Sequence, residues 1–156
     1  MKKIISLLIA LFLISSVCFP QTIAKGKVPK DVKKTFATDY SKAVKPAWSM
    51  SDENYKVEFF VNGVQNSVTY DKSGKWLEKK MSISSVKVPK EIKATVSKEF
   101  AGFRSSDAEQ ITTPDNSLQY LLVIKKGKDA YDVYFSAAGE ILKKEPKPVS
   151  QTGNKK

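Results

Sequence analysis

Histidine is absent from this 156-residue chain, and cysteine occurs once, at position 18. The first absence excludes Ser-His-Asp and Cys-His catalytic arrangements. Together the two remove the usual ligands of zinc, copper and haem and leave carboxylates, which suit harder ions. A single cysteine closes no internal disulfide, so burial has to hold the fold. Acidic residues are also scarce, 16 against 27 lysines and arginines, which leaves a formal charge of +11. Long apolar runs are missing apart from Ile4 to Val17, which is interrupted only by Ser6, Ser15 and Ser16. That run is shorter than the roughly 20 residues a membrane-spanning helix needs.

The exception has a compartment attached to it. Lys2 and Lys3 precede the apolar run, and Thr22-Ile23-Ala24 offers small residues at the two positions a signal peptidase reads. Residues 1–24 therefore read as a secretory signal peptide cleaved after Ala24. A lipoprotein anchored through Cys18 is the rival reading, but Val17 is too large for the position before an acylated cysteine. The expected mature chain is periplasmic or secreted, has no transmembrane segment, and contains neither cysteine nor histidine. About 130 residues suffice for one shared core, whereas a lone 60-residue unit is marginal.

Loss of Lys2 and Lys3 lowers the charge to +9, and Lys143 to Lys156 supplies four more of those positives, five lysines against Glu145. The folded part keeps about +5, scattered along the chain. An exported protein rarely meets nucleic acid, so a basic balance points to an anionic envelope polymer or an acidic protein surface, beside the plainer reading of a solvated lysine-rich exterior.

Two blocks recur. Val28-Pro29-Lys30-Asp31-Val32-Lys33 returns as Val88-Pro89-Lys90-Glu91-Ile92-Lys93, and Tyr70 to Leu77 is matched by Phe135 to Leu142. The second copy holds about five extra residues near Thr112 to Ser117. Each copy opens with a helix. Val32, Phe36 and Tyr40 fall at i, i+4 and i+8, as do Ile92, Val96 and Phe100, a spacing that puts three large apolar side chains on one helical stripe. Pro29 and Pro89 suit a first helical position, and Asp31 and Glu91 suit the positive end of the helix dipole.

Strands follow by alternation. Tyr55, Val57, Phe59 and Val61 lead to Asn62-Gly63, a hairpin turn requiring positive φ at both residues. Val64 to Tyr70 returns, and Asp71 to Gly74 turns into Trp76 to Met81. A weaker strand over Val44 to Met50 contains Pro46, which places it at an edge. In the second copy Leu118, Tyr120, Leu122 and Ile124, then Tyr131, Val133 and Phe135, then Ile141-Leu142 repeat the pattern. The expectation is an α+β fold of two tandem helix-plus-four-strand antiparallel repeats, residues 25–86 and 87–145, with helices on one face of a sheet of up to eight strands. Residues 146–156, rich in lysine and without apolar period, read as a disordered basic tail.

A Val-Pro-led helix, a Tyr-x-Val-x-Phe strand, an Asn-Gly turn and a strand closing on Tyr-Asp-Lys-Ser-Gly-Lys-Trp-Leu, all in doubled order, resemble the PepSY-like, beta-lactamase-inhibitor-like family of exported bacterial proteins. The resemblance covers about Val28 to Glu145. It implies a fold like that of the beta-lactamase inhibitory protein and favours protein binding, since related PepSY modules accompany secreted proteases as inhibitory or chaperone-like segments. It carries over no binding residue.

Motifs with chemistry are few. Asp71-Lys72-Ser73-Gly74 shares only its first residue with a calcium loop and reads as a turn closed by the aspartate side chain. Ser84-x-x-Lys87 lacks the companion motifs of the penicillin-binding enzymes and lies in the link between copies. Asp107 and Glu109 share a strand face, yet an exposed carboxylate pair is ordinary and catalysis needs a buried cleft. No catalytic, cofactor or metal residue is expected, and the protein reads as a non-enzyme that uses no cofactor.

What remains is a surface. If Tyr55, Val57, Phe59, Val68, Tyr70, Leu122, Ile124, Val133 and Phe135 face the helices, the opposite face presents Phe60, Leu121, Val123 and Tyr134, with Trp48 as a further candidate; the side of Trp76 stays open because the turn register decides it. These five apolar positions are the candidate partner-binding residues for another exported or envelope protein, with lysines steering an acidic partner. The alternative is lysine-mediated binding of an anionic cell-envelope polymer, with the tail contributing.

Overall fold

The computed structural model describes residues 21–147. The apolar run, Cys18 and residues 148–156 of the basic tail lie outside the described residues.

Two ten-residue helices form where the stripes place them, α1 over Lys30–Asp39 and α2 over Lys90–Glu99. Pro29 and Pro89 stand one step earlier than expected, at the N-cap, with extended ψ of 149° and 146°. Their fixed φ still starts the helix at no hydrogen-bond cost. Nine strands make one sheet: β1 Gln21–Thr22, β2 Val44–Ser51, β3 Asn54–Val61, β4 Val64–Tyr70, β5 Trp76–Ser82, β6 Arg104–Thr112, β7 Leu118–Lys126, β8 Asp129–Ser136 and β9 Ile141–Pro146. They lie in chain order, each antiparallel to its neighbour. Short turns join neighbouring strands except at β1–β2 and β5–β6, where α1 and α2 intervene. The Asn62–Gly63 turn takes φ of 51° and 78°, as its sequence requires. The additional residues of the second half lie in the β6–β7 connection, where Asp115 caps Thr113 and Ser117.

The ninth strand was not legible. Gln21 and Thr22 pair with Met50 and Ser49, and Ile23 N–H donates to the Trp48 carbonyl at 3.0 Å. The same contact recurs sixty residues on, where Ile83 N–H donates to the Ala108 carbonyl at 2.9 Å. Residues at the end of the expected leader, 21–23, thus hold the place beside β2 that the end of β5 holds beside β6. At the other end β9 continues through Pro146, and Lys147 N–H donates to the Ala130 carbonyl.

Both helices cover the same sheet face. Val32 and Phe36 of α1 pack on Val57, Phe59, Val68 and Tyr70. Ile92 of α2 packs on Tyr120, Leu122, Ile124, Val133 and Phe135. All nine positions expected to face the helices do so. The expectation of one shared core needs correction: the buried residues form two clusters, one beneath each helix. The reason lies at the β5–β6 seam. Lys79 pairs with Thr112 and Met81 with Gln110, so polar or long side chains occupy the helix-side positions between the clusters. Lys79 sets its ammonium over the rings of Trp76 and Tyr40, 4.4 and 5.9 Å from their centroids. This settles Trp76 on the helix side, its register set by the irregularity between Thr69 and Tyr70.

Two turns clamp the helices down. Gly74 and Gly139 have φ of 85° and 86° and lie against the first turns of α1 and α2. A Cβ on Gly139 would come within 2.8 Å of the Glu91 carbonyl. Thr95 donates its hydroxyl to the Gly139 carbonyl at 2.8 Å, and Asp71 closes the equivalent earlier turn by accepting from Ser73 and Lys75 N–H groups.

Candidate partner-binding face

The face without helices is set by strand alternation. Register places Glu58, Phe60, Ser67, Lys80, Glu109, Ile111, Leu121, Val123, Asp132 and Tyr134 on it in adjoining rows. This face is hollowed. A cavity of about 500 Å³ opens where β5 departs from β6 beyond the Ser82–Glu109 pair, lined by Ser82, Ser84, Asp107, Glu109, Leu121 and Val123 among others. A second hollow of about 230 Å³ adjoins it and shares Gln65, Ser82, Glu109 and Leu121; it reaches Lys56, Asp132 and Tyr134.

The five candidate residues divide. Phe60 is on this face and 37% exposed, with Val44, also exposed, as its cross-strand neighbour. Tyr134 is half-buried on the same face, with the ammonium groups of Lys80 and Lys143 about 6 Å from its ring. Leu121 and Val123 are on the face too, but at 9% and 5% exposure they form its floor and do not project from it. Trp48 is not there. It pairs with Val57, is 4% exposed, and meets Phe36 edge-on at 5.4 Å. The irregularity between Val44 and Ala47, with Lys45 at φ 55° beside Pro46, rephases β2 and turns Trp48 toward α1. Ile111, 1% exposed, is buried on the same face between Lys80 and Gln119 and was missed. Its signal was the Glu109–Ile111 alternation, which puts it in register with Lys80.

The electrostatics also differ from expectation. The two hollows are lined by four carboxylates, Glu58, Asp107, Glu109 and Asp132, against three lysines, Lys56, Lys80 and Lys147. The lysines are engaged: Lys56 with Glu58 at 2.6 Å, Lys80 with Glu78 at 3.1 Å, Lys147 with Asp132 at 3.0 Å. Such exposed pairs add little stability, but they cancel charge on the face. Asp107 and Glu109 have no lysine or arginine within salt-bridge distance among the described residues. Lysine steering of an acidic partner toward this face therefore lacks its charge source. Desolvation, with Glu145 next in weight, holds the Tyr134 phenol above its ordinary pKa, so that hydroxyl stays a neutral donor across physiological pH.

Among the described residues no group of three or more metal-ligating side chains is assembled. The arrangement combines an apolar floor, an amphipathic tyrosine, an exposed phenylalanine at one end and internally compensated charges. Protein contact surfaces in general combine aromatic residues, a hydrophobic centre and a polar rim.

Solved structures show the same fold. A "putative periplasmic" protein from Bacteroides eggerthii superposes with a TM-score of 0.71 at 20% identity, over 76% of this chain and 88% of that one. A DUF2874 family protein from Bacteroides uniformis gives 0.70 at 22% identity, over 81% and 93%. A BLIP-like protein from Bacteroides fragilis gives 0.65 at 17% identity, over 80% and 91%. No curated protein matches the chain in sequence. Residues 53–143 match the family described as "Putative beta-lactamase-inhibitor-like, PepSY-like". Because that match spans more than half of the chain, the protein belongs to the PepSY-like, beta-lactamase-inhibitor-like family.

Proposed function

We propose that this protein is a non-enzymatic, inhibitor-like binding module, exported to the periplasm or beyond, that holds another exported protein against the helix-free face. The hollowed face carries the reading: Tyr134 adjoins Leu121 across the β7–β8 pairing where the hollows open, Val123 is buried in the same floor, and Phe60 is exposed farther along the same face. An aromatic anchor next to a hydrophobic floor is the commonest source of interface hot spots. The family description and the BLIP-like relative support an inhibitor-like role. The "putative periplasmic" relative from B. eggerthii supports export. We read the recurring helix and four strands as a duplicated unit, supported by the matching contacts of Ile23 and Ile83.

The test is capture of an envelope protein by the tagged chain at low and high salt. Phe60→Ala with Tyr134→Ala should release the partner while circular dichroism stays unchanged. Because the lysines of the face are already paired, capture should persist at high salt. Retention of the partner by the double variant would reject this face.

A further inference from the structure

Whereas the lysines of the hollows are paired with carboxylates, a larger group of lysines lies on the opposite side. Residues 25–39 and 85–99, the helices with their leading turns, carry nine lysines against four carboxylates. Three lysines recur at a spacing of sixty, Lys27, Lys30 and Lys33 as Lys87, Lys90 and Lys93. All but Lys33, which is half-buried, are exposed. Among the described residues the only carboxylate contact of these six is Lys90 with Glu91, at 4.0 Å. On the same side, between α1 and β2, lies a separate cleft of about 240 Å³. Lys25 and Lys33 flank it, and Phe36, Tyr40, Pro46 and Trp48 contribute to its walls. It is smaller than the 300–1,000 Å³ typical of drug-sized ligands, and suits one sugar ring.

We propose that this cleft is an acidic-saccharide subsite of a cationic helical face that binds a linear anionic polysaccharide. One sugar ring lies against Tyr40 and Pro46 with its anionic group between Lys25 and Lys33. The chain then runs toward α2, which begins about 19 Å away, four strand spacings across the sheet. Lys87, Lys90 and Lys93 meet it there. The apolar walls between two cations select an acidic sugar over a bare phosphate chain, whose repeat has no face to stack. A bilayer fits less well: of the large hydrophobics that are exposed, only Val86 belongs to the helical layer, too little to insert. The polysaccharide and the protein partner would use opposite sides of the sheet and bind together.

Binding of a fluorescent heparin oligosaccharide by the full chain tests this, with polyphosphate of equal charge, neutral dextran and anionic phospholipid vesicles as comparisons. Heparin should bind more tightly than polyphosphate, dextran should not bind, and affinity should fall steeply between low and high salt. Lys25→Glu with Lys33→Glu should lower heparin affinity at least tenfold. Lys30→Glu with Lys90→Glu should lower it less, and Phe60→Ala with Tyr134→Ala should leave it unchanged. Polyphosphate binding as tight as heparin, binding to vesicles alone, or an unaltered Lys25/Lys33 variant would overturn the proposal. Lys25, Lys30 and Lys90 are exposed and Lys33 is half-buried, and matched thermal unfolding of the variants separates lost binding from lost folding.

Discussion

Gly139→Ala probes how the sheet holds its helices. A φ of 86° costs an alanine about 1–2 kcal/mol, because its Cβ crowds the following carbonyl in the left-handed region. At this position the Cβ would also lie 2.8 Å from the carbonyl carbon and oxygen of Glu91 and 3.1 Å from its Cβ. Those are backbone atoms of the first turn of α2, so relief requires the helix to lift from the turn. Overpacking of this kind adds about 1–3 kcal/mol, for a total of about 2–5 kcal/mol. Gly63 is the control: its φ is 78°, but nothing lies within 4 Å of an added Cβ, so only the conformational cost of about 1–2 kcal/mol applies. Gly74, where the Cβ would meet the Asp31 backbone at 3.0 Å, should fall between them. Urea unfolding of the three variants measures the order, with an unchanged slope required for the midpoints to be compared. In a domain of this size each kcal/mol corresponds to about 3–5 °C in Tm. If Gly63→Ala destabilises as much as Gly139→Ala, the close approach of turn and helix contributes nothing and the clamp is refuted.

Three further outcomes are expected. Hydrogen bonds from the Ser117 hydroxyl first, then Thr113 and the Ser117 backbone, hold the Asp115 carboxyl down to about 2 from its usual 3.8; its stabilising effect is full above pH about 4 and is lost as the pH falls toward 2, and a carboxyl NMR titration with a midpoint at or above 3.8 would contradict this. A chain starting at Lys25 loses the β1 pairing and Ile23, and should be less stable by about 1–3 kcal/mol than one starting at Gln21; equal Tm values would remove β1 from the fold's support. The Tyr70 hydroxyl is buried with no hydrogen-bond partner among the described residues, so Tyr70→Phe should be neutral or stabilising by up to about 1 kcal/mol, and a loss above about 2 kcal/mol would reveal a bond to that hydroxyl.

By itself the sequence determined what depends on local chemistry and period. The i, i+4, i+8 stripes give α1 and α2, Asn62-Gly63 turns β3 into β4, and alternation sends Phe59 and Val133 inward and Phe60 and Tyr134 outward. Those features depend on neighbours a few residues away. Tertiary structure decided what depends on register and packing between strands. A bulge in β2 turned Trp48 into the core against the expectation, and the β4–β5 irregularity placed Trp76. Side chains of neighbouring strands buried Ile111, Leu121 and Val123 on the outer face, where alternation alone leaves them exposed. Pairing with Met50 and Ser49 recruited Gln21 and Thr22 to the sheet, although Thr22-Ile23-Ala24 reads as a cleavage site. The distribution of charge is likewise spatial: Lys27, Lys30 and Lys33 and their counterparts Lys87, Lys90 and Lys93, sixty residues apart in the chain, come to one side because both helices cover the same face of the sheet.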